Sequence, residues 1–312
     1  MSNSFRQIKK MGFTNLGGEF LTSEEKLELK RVCVETLSNF DQTHNDFLHE
    51  KDGSSGFRAL PIHNEKSIPY LEKIISHPKI KALLNDVLGE EYKLWQIEYR
   101  MSFPGDPGLD VHQDGPGQFN MAIVLSENPA GKGGTVFLKG SHIVKKLIKK
   151  YNILIPAVLT QVLSFLFTKL EAKTGDICFF LNRTWHGRLK NDSELCNEVI
   201  LMGFFPVGGV FSYEKPYVKW PDEFLEKYDG TELEKAVNPN YNLEHLKNGD
   251  CRVVSSQSCP EIPYSMEIEN FTGRVSILDR IRLFLSISII RSSIFYGKIL
   301  YNFFKKLKRS IA

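Results

Sequence analysis

His112 and Asp114 stand two apart in Leu109-Asp110-Val111-His112-Gln113-Asp114. Side chains on an extended segment alternate with period two, so the pair shares one face. A further histidine, His186, follows Asp114 by 72 residues in Arg183-Thr184-Trp185-His186-Gly187-Arg188. Two imidazoles and one carboxylate on one face of a metal are the donor set that holds non-haem iron(II), and it leaves positions open for a co-substrate and oxygen. A bare His-x-Asp arises by chance in many proteins. Asp114 could equally cap the Gly115-Pro116-Gly117 turn, and His186 could be a strand-end histidine bonded to backbone. The surrounding elements therefore matter.

Residues 5–20 read as a strand and turn. Thr22 or Ser23 can cap a helix whose first turn carries Glu24 and Glu25, and Leu29, Val32 and Leu37 recur at helical spacing. Residues 41–66 are polar and broken by Gly53-Ser54-Ser55-Gly56, which predicts a surface loop. Ile68–Leu88 predicts a second helical region closed by Gly89. From Tyr92 the period falls to two, and strands are expected over 92–101, 119–125, 135–138, 177–181 and 198–205. Residues 143–172 are helical in composition, and Gly175-Asp176 reads as a turn leading into the strand before His186. Short strands joined by turns, with helices mostly ahead of them, predict an α+β chain built on an antiparallel barrel or jelly roll.

The 312 residues suit one large domain, or one domain with an appendage. Apolar residues make up 42% and charged residues 25%, an ordinary globular composition. A net charge of +3 is too small to argue for nucleic acid. Five cysteines without Cys-x-x-Cys spacing argue against a disulfide framework or zinc site and for a reducing compartment. The first residues carry no apolar run of signal-peptide length, so a cytoplasmic location is expected.

His112-x-Asp114, Gly133-Gly134-Thr135, Gly140-Ser141-His142, Gly175-Asp176 and Trp185-His186-Gly187 follow one another in an order and spacing that resembles the phytanoyl-CoA dioxygenase family, over residues 10–206. The resemblance implies a double-stranded β-helix (jelly-roll) barrel with flanking helices. It also implies iron(II) held by His112, Asp114 and His186, with 2-oxoglutarate as co-substrate and O2 as oxidant. The substrate would be a small or lipid-like molecule. Relatives that halogenate carry a small residue where Asp114 stands, so an intact Asp114 implies hydroxylation or a related oxidation. His142 is expected to support a loop near the site.

One departure concerns the co-substrate. The family holds the far carboxylate of 2-oxoglutarate with an Arg eleven residues after the distal His, and here that position is Asn197. The small hydroxyl residue expected two after that His is replaced by Arg188. In the family these two positions face each other across neighbouring strands. The resemblance therefore implies an exchange of roles, with Arg188 supplying the charged fork and Asn197 the neutral hydrogen bond. Arg100 is the next candidate. Loss of the usual Arg also leaves a second reading open, that of a non-catalytic barrel serving as a binding or scaffold module at a membrane surface.

Two apolar stretches remain. Tyr151–Thr168 is uncharged over 18 residues and reads either as a helix packed on the barrel or as a greasy lid over its mouth. The C-terminal segment is apolar with Arg280, Arg291, Lys298, Asn302, Lys305 and Arg309 near one helical stripe, and it has no acid after Asp279. Such a helix suits peripheral contact with an anionic membrane, or docking on the body or a second subunit. The expected division is a domain over 1–228, a linker or irregular extension over 229–276, and a basic amphipathic helix over 277–312.

Overall fold

A computed structural model describes residues 2–38, 57–61, 65–90, 92–114, 118–126, 133–143, 153–206, 226–237 and 277–311. In chain order the elements are α1 (Asn3–Met11), β1 (Phe13–Asn15), α2 (Ser23–Ser38), β2 (Phe57–Pro61), α3 (Ile68–Ile75), α4 (Pro78–Leu88), β3 (Tyr92–Ser102), β4 (Leu109–His112), β5 (Phe119–Val124), β6 (Thr135–Phe137), β7 (Ile153–Ile155), α5 (Ala157–Val162), β8 (Thr168–Lys169), β9 (Ile177–Leu181), β10 (His186–Arg188), β11 (Asn197–Pro206), α6 (Glu232–Val237) and α7 (Ile277–Ile311). Single 3-10 turns lie at Ser141–Ile143 and Ser164–Leu166.

Among the described residues the strands form two sheets with antiparallel pairing. One runs β1-β9-β5-β11-β3-β2 and the other β7-β4-β10-β6-β8. This is a jelly-roll-like arrangement in a mixed helix and sheet chain. The centre of the six-stranded sheet is covered on both faces, so β5, β9 and β11 read as nearly continuous apolar runs, whereas β3 alternates. On β11, Ile200, Met202 and Phe204 join a core shared with Leu29, Leu71 and Leu84 of the N-terminal helices. Leu201 turns the other way, into a cluster with Phe13, Phe137 and Phe180 between the sheets. The Phe13 and Phe137 rings stack at 4.4 Å between centroids. A third cluster, with Val111, Trp185 and Leu189, covers the outer face of the five-stranded sheet beneath α5 and α7.

Several expectations need correction. Residues 3–11 are a helix, not a strand: Ser2 accepts from the Phe5 backbone N–H at 3.2 Å, and Phe5 and Ile8 are buried on one side. The second helical region is two helices, divided where Pro78 opens α4 behind His77. In the 143–172 stretch, residues 144–152 lie outside the described residues, and the remainder is not one helix. β-branched Ile153 and Ile155 form a strand, Pro156 precedes α5, and α5 has only six residues. Of the expected loop, 57–61 is an edge strand on β3 and 41–56 lies outside the described residues. Within 229–276, residues 232–237 form a helix whose Leu233 and Ala236 enter the main core, and 238–276 lies outside the described residues.

The α2 start matches its reading. The Thr22 hydroxyl accepts from the Glu25 backbone N–H at 3.2 Å, and the Glu25 carboxylate accepts from the Thr22 N–H at 2.7 Å.

Candidate metal centre

β4 and β10 are direct neighbours, and His112 is the register partner of His186. That pairing brings together two histidines 74 positions apart in sequence, with rings 4.4 Å apart between centroids. Val111 and Trp185 point outward into the covering cluster, so His112 and His186 point into the space between the sheets. Gly187 allows the close approach: a Cβ there would lie 2.8 Å from the Leu109 carbonyl oxygen and 3.0 Å from Val111. Asp114 follows β4 in line, held by its N–H to the Asn182 carbonyl at 2.9 Å.

Both imidazoles are oriented in the same way. His112 Nδ1 lies 2.8 Å from the Asp110 carbonyl, and His186 Nδ1 lies 2.8 Å from the Thr184 carbonyl. A carbonyl oxygen only accepts, so each Nδ1 carries the proton and each Nε2 keeps its lone pair when the ring is neutral. The two Nε2 atoms lie 3.3 and 3.4 Å from the two Asp114 oxygens. One ligand atom from each of the three residues can be drawn with all atoms within 4.8 Å of one another. Asp114 Oδ2 also accepts from Asn120 Nδ2 at 2.7 Å, and Gln118 Nε2 donates to Asn120 Oδ1. Backbone and amide groups thus hold all three donors by the atoms a metal does not need.

The electrostatics suit a cation. Burial pushes His186 down to about 4, only partly opposed by the Asp114 charge, so it is neutral near pH 7. Burial alone would lower His112 too, but its hydrogen bond to Asp114 and that carboxylate's charge leave it above its ordinary value. Burial would raise the Asp114 carboxyl, yet His186, His112 and Arg100 hold it well below the usual carboxylate range. Two converging lone pairs and a half-buried carboxylate are a donor set that a divalent metal satisfies.

The other expected site residues are distributed differently. Arg188 faces the same interior as His186, two residues along β10, and its Nη2 donates to fully buried Asp106 at 2.7 Å. Asp106 also accepts from the Gly108 N–H at 2.7 Å. Asn197 begins β11 in the opposite sheet, paired with Ser102 rather than with β10. Arg188 and Asn197 therefore do not sit on neighbouring strands: residues 189–196 cross from one sheet to the other. Asn197 lies under the Gly133 backbone, where a Cβ would come within 2.3 Å of its Nδ2. Arg100 is the register partner of Val199 and donates through Nε and Nη2 to Glu98 at 2.9 and 2.8 Å. Its charge reaches His112, Asp114, His186 and Arg188. Buried His142 lies apart from the three donors, its Nε2 3.0 Å from the Lys9 carbonyl.

Asn120 and Asp106 were missed in the sequence. A signal existed for Asn120, a polar residue in the otherwise apolar run Phe119–Val124 and in phase with Gln118. None existed for Asp106, which looks like any aspartate in a Pro/Gly turn.

No sequence-family description matches the chain, and no curated protein matches it. Its fold does match solved structures. The non-haem α-ketoglutarate-dependent epimerase SnoN from nogalamycin biosynthesis is 14% identical, with a TM-score of 0.50 over 65% of this chain and 79% of that one. HygX from Streptomyces hygroscopicus, solved with nickel and 2-oxoglutarate, is 14% identical at a TM-score of 0.52 over 70% and 96% of the two chains. EctD from S. alaskensis, solved with 2-oxoglutarate and 5-hydroxyectoine, is 15% identical at 0.53 over 67% and 77%. The chain thus has the fold of enzymes that use a non-haem metal and 2-oxoglutarate.

Proposed function

We propose that this chain is an iron(II)- and 2-oxoglutarate-dependent oxygenase that hydroxylates a small or lipid-like molecule. The observation that carries the reading is the convergence of His112 Nε2, His186 Nε2 and the Asp114 carboxylate, each held from behind by protein groups. His112, His186 and Asp114 would hold iron(II) there, and the metal would supply the redox chemistry that couples 2-oxoglutarate and O2 to oxidation of the substrate, one oxygen atom ending in succinate and the other in the product. The histidines serve as neutral nitrogen donors and Asp114 as the anionic one. Asn120 keeps the second Asp114 oxygen occupied, so the carboxylate presents one oxygen to the metal.

The far carboxylate of 2-oxoglutarate needs a cation between the sheets, and we assign it to Arg188 with Asn197 as the neutral donor. Arg100 is the second cation of the same interior. A titration of 2-oxoglutarate into the metal-loaded protein tests this. Weakening in Arg188→Ala by tenfold or more is expected, on the order of 1.5–3 kcal/mol for a charged hydrogen bond. Weakening only in Arg100→Ala would move the role to that residue.

A second reading rests on one observation. Both candidate cations already have an acid partner, Asp106 for Arg188 and Glu98 for Arg100. If neither acid yields, the barrel holds metal without turning over 2-oxoglutarate and serves as a binding module. Metal uptake with no 2-oxoglutarate binding would establish that reading. We also propose peripheral membrane contact through α7. Among the described residues no helix is long and apolar enough to cross a membrane.

A further inference from the structure

Helix α7 has two apolar faces, and only one is covered. At about 100° per residue, Leu283, Ile287, Ile290 and Ile294 form one stripe. That stripe packs into the cluster on the outer face of the five-stranded sheet, with Leu283 and Ile290 buried. On the far side of the helix, Ile281, Leu285, Ile289, Tyr296 and Ile299 are 41–63% exposed. Arg280 and Arg291 are exposed between the two stripes. The same cluster contains Leu163 and Phe167, with Leu159 and Leu166 against it, so α5, the turn after it and α7 all cover the outer face of the five-stranded sheet. Their outward residues are again large and apolar: Val158, Val162 and Phe165 are 69–75% exposed. Exposed apolar side chains gathered on one side of a molecule in this way mark an interaction site.

Charge selects the partner. Eight of the chain's 40 Lys and Arg and one of its 37 Asp and Glu lie in 277–312, so that segment carries +7 and the rest of the chain −4. The one acid, Asp279, is 3.7 Å from Lys10. A second copy would bring the same basic helix against this one, and like charges would oppose the contact. Apolar side chains beside basic ones on a helix lying flat match the interface of an anionic bilayer.

We infer that the outer face of α7 and the α5 segment, through Val158, Val162 and Phe165, form one surface that docks on an anionic phospholipid bilayer. This deepens the peripheral contact proposed above by adding α5 as a second element of the surface, and it stands independently of the oxygenase reading. The surface lies on the outer side of the sheet whose inner side carries His112 and His186. The Ala157 N–H ties α5 to the Asp110 carboxylate at 2.6 Å, two residues from His112. Docking therefore holds the metal-bearing sheet against the membrane.

The test is sedimentation of the full chain with phosphatidylcholine vesicles that contain or lack phosphatidylserine. Binding is expected with phosphatidylserine, weakened by high salt. The double variant Val162→Ser with Phe165→Ser should lower affinity at least about tenfold, since both lose apolar burial in the interface. These exposed side chains are outside the core, and unchanged metal uptake would show an intact fold. No sedimentation with phosphatidylserine vesicles overturns the inference, as does unchanged affinity in the double variant. So does a dimer of the full chain that dissociates in Leu285→Ser, which would place a second copy on this face.

Discussion

At the level of single residues, the groups behind His112, Asp114 and His186 decide how firmly they are held. Asn120 fixes one Asp114 oxygen at 2.7 Å and is itself fully buried. Asn120→Ala should lower metal affinity about 10–100-fold while the triad stays intact. It should also cost about 1–3 kcal/mol of stability, because the buried Gln118 amide loses its acceptor. Calorimetric metal titration and thermal melting separate the two effects. Protons compete with the metal at one residue in particular. His186, held down to about 4, is already neutral, and Asp114 is already ionised. His112, raised by Asp114, is the group that must lose a proton. Metal affinity should therefore fall as pH drops below the His112 pKa, by about tenfold per pH unit, with one proton released per metal bound. Titrations in two buffers of different ionisation enthalpy check the count. The gathering of His112, Asp114 and His186 was legible in the sequence, because period two and a glycine beside a histidine are local signals. Asp106 was not, since its importance comes only from the guanidinium that folding places beside it.

At the scale of elements, remote segments hold the site. Gly12 caps α1 at φ 88°, and its carbonyl accepts from the Thr184 hydroxyl at 2.9 Å. Thr184 in turn orients His186 through its own carbonyl. In Gly12→Ala the new Cβ would stand 2.3 Å from Thr184 Oγ1 in a backbone conformation that costs L-residues about 1–2 kcal/mol. That variant should lose at least that stability and weaken metal binding, whereas Gly17→Ala, with open space around it at φ 82°, should lose stability alone. Paired melts and metal titrations of the two variants make the comparison. Leu233→Ala in α6 should cost about 2–5 kcal/mol, as for other fully buried leucines, and a denaturant melt reads it directly. Six residues give too little periodicity to reveal such a helix in sequence. β11 was legible as a strand, but a strand covered on both faces does not announce which side chains face the site. Arg188 and Asn197 lie in opposite sheets rather than on neighbouring strands: strand order, not spacing, decides which residues are neighbours.

At the scale of the whole molecule, the layers run from the N-terminal helices through the six-stranded sheet, the inter-sheet core and the five-stranded sheet to α5 and α7. His112, Asp114 and His186 lie between the sheets, and α7 lies outermost on one side. The general α+β plan was readable from the change of period at Tyr92. The docking of α7 by one face was not, because two apolar stripes on one helix look alike until one is covered. The central claim is the chemistry between the sheets. Its most direct test is succinate formed from 2-oxoglutarate by the full chain under air with iron(II) supplied. Iron-dependent succinate is expected in the native chain, with a fall to the buffer level in His186→Ala. Native chain that binds iron and 2-oxoglutarate yet forms no succinate above that level, with or without candidate substrates, would contradict it.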